Sequence, residues 1–247
     1  MTVVLLGHGR LGSAIAEGWR LTGIVPRPTI LTRAVAPVCP PETRALVIAV
    51  KPAAWREAVG PLLTTLPAGA VIVSVMAGVR AADLSAALPG RAVARVMPTT
   101  AVAQGQGVAA IWSDGPEARA EAHTLFDAIA DTIDLHEEFL IDAATAVAGS
   151  APAFFYALAQ ALAAAGVQAG LAPEAAERLT RGALRSAGSG AGTDASLEDL
   201  IARIASPGGT TRAGLDALRD AGLDAAGRGA VNAAVARAKA LAGDQPA

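Results

Sequence analysis

The chain has 247 residues, a net charge of −2 and 53% hydrophobic residues, which suffices for one large domain or two modest ones. Lysine and arginine are dispersed, so the charge pattern favours neither nucleic acid nor a membrane as a partner, and no uninterrupted apolar run approaches the ~18 residues of a membrane span. A single cysteine, Cys39, excludes a disulfide framework, and three histidines without ligand spacing leave no expected metal site. The N-terminus lacks the charged segment of a signal peptide, so we expect a cytoplasmic protein.

Short apolar strands alternate with helical stretches through the first half of the chain. The predicted strands are 3–6, 29–32, 45–50, 71–75, 92–97, 108–112 and 132–135. The predicted helices between them are 13–22, 55–66, 81–87 and 117–129. Strands that read as continuous apolar runs and alternate with helices are typical of an α/β fold with a doubly wound parallel sheet.

The character of the sequence changes near Asp142, where strand patterns end and alanine-rich helices begin. We predict helices at 153–166, 173–186, 197–205 and 212–241. The sequence therefore predicts two domains, an α/β domain over 1–139 and an all-helical domain over 140–247.

A glycine-rich turn follows the first strand and precedes the first helix. Gly7, Gly9 and Gly12 have the spacing of a dinucleotide-binding fingerprint in the strand–turn–helix context that this motif requires. The first glycine would make the tight turn, the second would admit the pyrophosphate and the third would pack the helix on the strand. We therefore predict a dinucleotide site here.

The end of the second strand bears on the choice of cofactor. It carries Thr32 and Arg33 where an NAD-binding fold commonly has a carboxylate for the ribose hydroxyl. Arginine pairs with a 2′-phosphate, so NADPH is favoured and NADH remains possible. The alternative is that Arg33 is a solvated surface charge.

Three other strand ends carry small residues and backbone groups that could face a ligand. They are the segments 49–52, 75–78 and 97–100. Ligands of open α/β sheets lie beyond the carboxyl ends of the strands, so these segments would form the wall around the nicotinamide. Lys51 has two interpretations, a catalytic acid or, the one we favour, a structural or cofactor-facing residue fixed by Pro52.

The segment Ser206–Thr211 lies between two predicted helices and contains three hydroxyls and two glycines. The start of a helix presents free N–H groups that bind anions, so the segment is a candidate carboxylate site; an ordinary helix connection is the alternative. The helical domain has no histidine, and its one lysine is Lys239. A protonated imine needs no added acid before hydride addition, unlike a ketone, so this composition favours an imine substrate.

Together the motifs resemble the pyrroline-5-carboxylate reductase family, in the family's order and over nearly the whole chain. They are the segments 7–12, 49–52, 95–98, 142–154 and 205–211. The resemblance implies NADPH- or NADH-dependent reduction of (S)-1-pyrroline-5-carboxylate to L-proline, the last step of proline biosynthesis. It also implies a Rossmann domain followed by a helical domain for substrate binding and dimerisation, which makes an intertwined homodimer and often a larger ring of dimers.

The resemblance also implies roles for individual residues. The dinucleotide would be held by Leu6, Gly7, His8, Gly9, Arg10, Leu11, Gly12, Ala49, Val50, Lys51 and Pro52. Val75, Met76 and Ala77 would line the nicotinamide, with Met97 and Pro98 beside them. The substrate carboxylate would be held by Ser206, Gly208, Gly209 and Thr210. Thr211 would hydrogen-bond the ring nitrogen as the catalytic contact, and this loop would serve the cofactor of the other subunit.

Some positions depart from the family's pattern. The chain has Thr99 and Ala101 where the family usually has asparagine and proline, and Ala151 where it usually has glycine. The segment 33–44 is too short for the helix that normally follows the second strand, which predicts a trimmed or open adenosine side. Three alternatives stay open: a reductase of a related cyclic imine, a β-hydroxyacid-dehydrogenase relative, disfavoured because an expected early lysine is missing, and a non-catalytic NADP-binding protein.

Overall fold

The computed structural model describes residues 2–25, 27–33 and 38–243. The chain divides into two compact units, one built from Met1–Ser150 and Val231–Ala247 and the other from Ala151–Ala230. All strands of the described residues belong to the first unit. The functional division into 1–139 and 140–247 stays a prediction.

The described strands form one seven-stranded sheet in the order β2-β1-β3-β4-β5-β6-β7. Strands β1 to β5 are parallel to one another, so their carboxyl ends lie along one edge. The strands are β1 Thr2–Leu6, β2 Thr29–Leu31, β3 Thr43–Ile48, β4 Val71–Ser74, β5 Val93–Pro98, β6 Gly107–Ser113 and β7 Ala130–Asp134.

The prediction of a parallel sheet is confirmed for β1 to β5 but is wrong for the pairing of β5 with β6. Strand β6 pairs antiparallel with β5, and β7 pairs parallel with β6. The reason is the connection 99–106, which contains only the 3-10 helix Thr100–Gln104. A parallel neighbour needs a crossover of roughly a dozen residues or more, so the chain reverses direction here.

The helices of the first unit cover both faces of the sheet. They are α1 Arg10–Thr22, α2 Trp55–Val59, α3 Ala81–Ala87, α4 Pro116–Phe126 and α5 Leu140–Ala144. The predicted helix 55–66 is wrong in its second half, because Pro61 ends the regular helix and a 3-10 turn, Gly60–Leu62, follows.

The core of the first unit is apolar on both faces of the sheet. In β1, Val3 and Leu5 belong to one cluster of buried side chains, and Val4 and Leu6 belong to another. This alternation is what a strand buried on both faces requires. The indole N–H of the fully buried Trp19 donates to the carbonyl of Leu125 at 2.7 Å, which joins α1 to α4.

The second unit is helical. Its helices are α6 Ala151–Gln168, α7 Pro173–Ala191, α8 Leu197–Ile204, α9 Thr210–Asp220 and the start of α10 Leu223–Gly243. The predicted single helix 212–241 is wrong, because Gly222 has φ +88° and separates α9 from α10. Glycine adopts this left-handed conformation without a Cβ clash, which makes it a common helix terminator.

Helix α6 exposes an apolar surface. Phe155 is 60% exposed and Tyr156 is 65% exposed. The continuous helix Leu140–Gln168, which includes the π-helical stretch Thr145–Ser150, is by length and composition alone apolar enough to cross a membrane. One such helix is weak evidence for a span, and an exposed apolar patch equally marks a protein interface.

Candidate active site

The turn between β1 and α1 lies at the edge of the sheet where the parallel strands end. Gly7 has φ +102° and donates its N–H to the carbonyl of Leu31 at 2.9 Å. The N–H of Ala49 donates to the carbonyl of Leu6 at 2.8 Å. These bonds draw the ends of β1, β2 and β3 together around the turn.

Gly9 and Gly12 have the two surroundings that the fingerprint predicts. A Cβ on Gly9 would meet nothing within 4 Å, so the turn is open on this side for a ligand. A Cβ on Gly12 would lie 2.3 Å from the carbonyl oxygen of Gly7, so only glycine fits where the helix packs on the turn. Gly9 is the N-cap of α1, no side chain caps it, and the first turn carries no acidic residue. The N–H groups at this end are therefore available to a phosphate.

A cleft of about 700 Å³ opens beside this turn. This volume is in the range of clefts that bury a small-molecule ligand. A helix N-terminus lies at the edge of the cleft, so the cleft fits a dinucleotide. Nine of the predicted cofactor residues line it: Leu6, Gly7, His8, Gly9, Thr32, Arg33, Ala49, Val50 and Lys51.

The other predicted cofactor residues do not line this cleft. Arg10, Leu11, Gly12 and Pro52 lie next to it in the chain, and Val75, Met76, Ala77, Met97 and Pro98 lie at the ends of β4 and β5. Val75, Met76 and Met97 are at most 6% exposed, so their side chains belong to the core. In this region the backbone and the small side chain of Ala77 remain as the groups that can face a ligand.

Sequence reasoning missed five residues that line the cleft: Leu31, Ala54, Glu57, Ala58 and Pro61. Four of them belong to α2 and the 3-10 turns at its two ends, which follow β3 at the carboxyl edge. The rule that ligands lie beyond the carboxyl ends of strands could have pointed to this helix.

Three charged side chains line the cleft, Arg33, Lys51 and Glu57. All three residues are exposed, and none forms an ion pair with another described residue. Two cations and one anion therefore face the same space, and their charges act on whatever binds there.

The turn after β4 is held by several backbone contacts. The N–H of Val75 donates to the carbonyl of Ile48 at 3.1 Å, and Gly78 has φ +75°. The N–H of Ala81, the first residue of α3, donates to Oε1 of Glu138 at 2.7 Å. Ala77 packs against a small cluster of Met97, Ala110 and Ile141.

In the second unit, the segment Ser206–Thr211 forms the predicted entry into a helix. Helix α9 begins at Thr210 with Gly209 as its N-cap, and neither a capping side chain nor an acidic residue occupies its first turn. Gly208 has φ +71°, and the N–H of Gly209 closes the turn on the carbonyl of Ser206 at 3.1 Å.

The polar groups of this loop are available to a ligand. Ser206 and Thr210 are exposed and Thr211 is half-buried. Within the described chain, none of the three hydroxyls forms a side-chain hydrogen bond. The loop thus offers free N–H groups and hydroxyls together, which is the donor set that a carboxylate needs.

No group of three or more His, Cys, Asp or Glu side chains that could hold a metal ion occurs in residues 2–25, 27–33 and 38–243. The donors of the two candidate sites are backbone N–H groups, hydroxyls and cationic side chains, which suit anionic ligands.

Comparison with known proteins identifies the family. Residues 138–241 match the family model for pyrroline-5-carboxylate reductase dimerisation. Pyrroline-5-carboxylate reductase from Pseudomonas aeruginosa is 36% identical over 202 residues, which covers 80% of this chain and 74% of that protein. The chain belongs to the pyrroline-5-carboxylate reductase family.

Other members of the pyrroline-5-carboxylate reductase family extend the match to the whole chain. The Pisum sativum enzyme is 29% identical over 97% of this chain and 96% of its own length. The crystal structure of the Streptococcus pyogenes enzyme superposes with a TM-score of 0.77 at 27% identity, over 97% of this chain and 98% of that one. The Plasmodium falciparum structure, solved with NADP bound, has a TM-score of 0.80 at 24% identity, over 98% of each chain.

The dimerisation model of the pyrroline-5-carboxylate reductase family covers both the exposed apolar helix α6 and the loop Ser206–Thr211. The exposed aromatic side chains of α6 thus lie in a region that this family uses for self-association. An exposed apolar surface of this kind is typical of a protein interface.

Proposed function

We propose that this protein reduces (S)-1-pyrroline-5-carboxylate to L-proline. The observation that carries the proposal is the loop Ser206–Thr211, whose helix N-terminus has no side-chain cap and whose hydroxyls form no side-chain hydrogen bond with any described residue. An imine that carries a carboxylate needs such an anchor, and in its protonated form it needs no additional protein acid before hydride transfer.

The dinucleotide fits the cleft beside Gly7, Gly9 and Gly12. The N–H groups at the start of α1 would bind its pyrophosphate, and Ala49 to Lys51 would flank it. Bound NADPH or NADH supplies the hydride that is added to the imine carbon. Val75, Met76 and Ala77 would support the nicotinamide through their backbone.

The substrate would be held by Ser206, Gly208, Gly209 and Thr210 through its carboxylate. Thr211 would hydrogen-bond the ring nitrogen through its hydroxyl oxygen, which would accept the N–H of the protonated imine and so fix the face that meets the cofactor. Orientation of this kind contributes a large part of catalysis where two reactants must meet in one geometry.

The cofactor preference follows from the charges in the cleft. Arg33 at the end of β2 would pair with a 2′-phosphate, so we propose NADPH as the better cofactor and NADH as a possible substitute. Glu57 lines the same cleft and opposes that preference, because a carboxylate repels a phosphate.

The working unit is proposed to be a homodimer through the helical region 140–247, in the cytoplasm. The loop of one subunit would serve the cofactor held by 1–139 of the other, and a ring of dimers would be the higher assembly. The exposed apolar face of α6 supports a dimer, because a stable interface buries such a surface.

The test is steady-state oxidation of NADPH, and separately of NADH, by the purified protein with pyrroline-5-carboxylate, scored by the proline formed. Efficient turnover with a preference for NADPH is the expected result. Binding of NADPH without turnover on pyrroline-5-carboxylate or on related cyclic imines would overturn the proposal and leave a non-catalytic NADP-binding protein.

A further inference from the structure

Arg95 is a buried cation in the middle of β5. The residue is 3% exposed and lies opposite Trp112 on β6 and Ser74 on β4. Its Nη1 donates to Oε1 of Glu138 at 2.9 Å, while its Nε and Nη2 are buried without a hydrogen bond to any described residue. Among the described residues, Glu138 is the only carboxylate that forms an ion pair with it.

Glu138 uses the same oxygen for a second contact. Oε1 also accepts the backbone N–H of Ala81 at 2.7 Å, at the first residue of α3. One carboxylate oxygen therefore joins a buried cation in the sheet to the start of a helix. Such an oxygen has little freedom, because a buried guanidinium is costly to leave unpaired and holds its counter-ion in place.

The contact fixes a segment that matters for the proposed function. Ala81 ends the turn that begins after Ser74 and contains Val75, Met76 and Ala77. At the other end of this turn the N–H of Val75 donates to the carbonyl of Ile48. The turn is thus held at its start by β3 and at its end by Glu138.

We propose that Glu138, itself held by Arg95, is a positioning residue for the nicotinamide. It fixes the end of the turn 75–80 and so sets the position of the backbone that would contact the nicotinamide. This inference rests on the proposed function, because it assumes that the turn supports the cofactor. Glu138 is proposed to touch neither cofactor nor substrate and to act through the N–H of Ala81.

The first measurement is hydrogen exchange of the turn in the protein without cofactor or substrate. Glu138→Met removes the acceptor at similar volume, Glu138→Gln retains an oxygen acceptor, and Glu137→Gln alters the neighbouring carboxylate as a control. We expect the peptide that contains residues 75–82 to exchange at least about tenfold faster in Glu138→Met, with little change in the other two variants.

The second measurement is kinetic. In Glu138→Met we expect kcat to fall roughly ten- to hundredfold, because misplacement by about 1 Å costs this much. The Kd for NADPH should change less than about threefold, since the contacts of the cleft remain. The primary deuterium isotope effect on kcat, measured with deuterium as the transferred hydrogen of NADPH, should rise because the slower hydride transfer then limits the rate. Glu138→Gln should recover most of the rate.

The outcomes separate this inference from the function on which it rests. If the wild type does not reduce the imine, the proposed function fails, while the exchange measurement still tests the contact. If the wild type is active and Glu138→Met retains its rate, isotope effect and slow exchange, the inference is overturned. Should Glu138→Met not fold, Arg95→Met removes the buried cation that holds Glu138, and the same losses are expected. Unchanged exchange and rate in that variant would equally overturn it.

Discussion

Gly7 lies directly against the carbonyl group of Ala49. A Cβ built on Gly7 would be 2.8 Å from both the carbonyl carbon and the oxygen of Ala49, and its φ of +102° disfavours every other residue. The first glycine of the turn is therefore required by the protein's own backbone, whereas Gly9 has no neighbour within 4 Å of a Cβ.

This difference predicts opposite results for two alanine substitutions. Gly7→Ala should destabilise the fold by about 1–3 kcal/mol, because it adds a backbone clash and a strained φ. Gly9→Ala should unfold like the wild type but bind NADPH at least about tenfold more weakly, since only the ligand meets its new methyl group. Urea denaturation and fluorescence titration measure the two effects. Equal stability losses in both variants would contradict the assignment.

Thr211→Val tests the proposed contact with the ring nitrogen. The hydroxyl forms no side-chain hydrogen bond within the described chain, so its loss should leave the fold intact. We expect kcat/KM to fall about ten- to hundredfold, the value of a hydrogen bond to a charged or developing charged group. Thr124→Val, at a half-buried position on α4, is the matched control and should retain full activity. Kinetics of Thr211→Val equal to those of the control would remove Thr211 from the mechanism.

The charges of the cleft predict a pair of opposite shifts in cofactor preference. Arg33→Ala should weaken NADPH by about tenfold and NADH by much less, because only NADPH carries the 2′-phosphate. Glu57→Gln should strengthen NADPH relative to NADH, because it removes a carboxylate from the same space. The ratio of kcat/KM for the two cofactors is the measurement, and Arg27→Ala is the control. Parallel changes for both cofactors would show that neither residue reads the phosphate.

A histidine outside the cleft predicts a pH dependence of stability. His123 contacts Asp127 at 2.8 Å through Nδ1 and Asp134 at 3.3 Å through Nε2, and Arg119 pairs with the same Asp134. The hydrogen bond to Asp127 raises the pKa of His123 above its ordinary value of 6.5; the bond to Asp134 adds to the rise, and partial burial opposes it.

The sign of the effect follows from this raised pKa. The folded state binds the proton more tightly, so the stabilisation is fully present below about pH 6.5 and is lost as pH rises through the higher folded pKa. Because both carboxylates are largely exposed, the change should be below about 1 kcal/mol. Urea unfolding at about pH 5.5 and about pH 8.5 measures it. His123→Gln should abolish this difference, and a variant that retains it would contradict the assignment.

Most of the sheet and its ligand edge could be predicted from the sequence. The apolar runs of β1, β3, β4 and β5 gave clear strand signals because both faces of the sheet are buried, and Gly7 to Gly12 gave the turn. The direction of β6 could not be read from its own residues. It depends on the length of the connection between Pro98 and Gly107, which the apolar pattern of the strand does not reveal.

The site was predictable where it depends on local backbone chemistry and less so where it depends on packing. Gly7 and Gly208 adopt positive φ angles that favour glycine, so their residue type points directly to the two turns. Glu57 and Glu138 were missed, because an exposed-looking glutamate carries no periodic signal. Glu57 lies on α2, which follows β3, whereas Glu138 is held in place by Arg95 of the distant strand β5.

The segment 33–44 was expected to be too short for a helix, and its described residues, Arg33 and 38–44, contain none; residues 34–37 lie outside the described residues. In the described chain, β2 is an edge strand of the sheet, and it spans only Thr29–Leu31. An open edge can pair with another sheet and begin aggregation. A three-residue strand between Pro28 and Arg33 offers few backbone groups and is followed closely by a charge, which limits pairing at this edge. Lengthening this strand with β-branched residues should therefore reduce the solubility of the protein before it alters its activity.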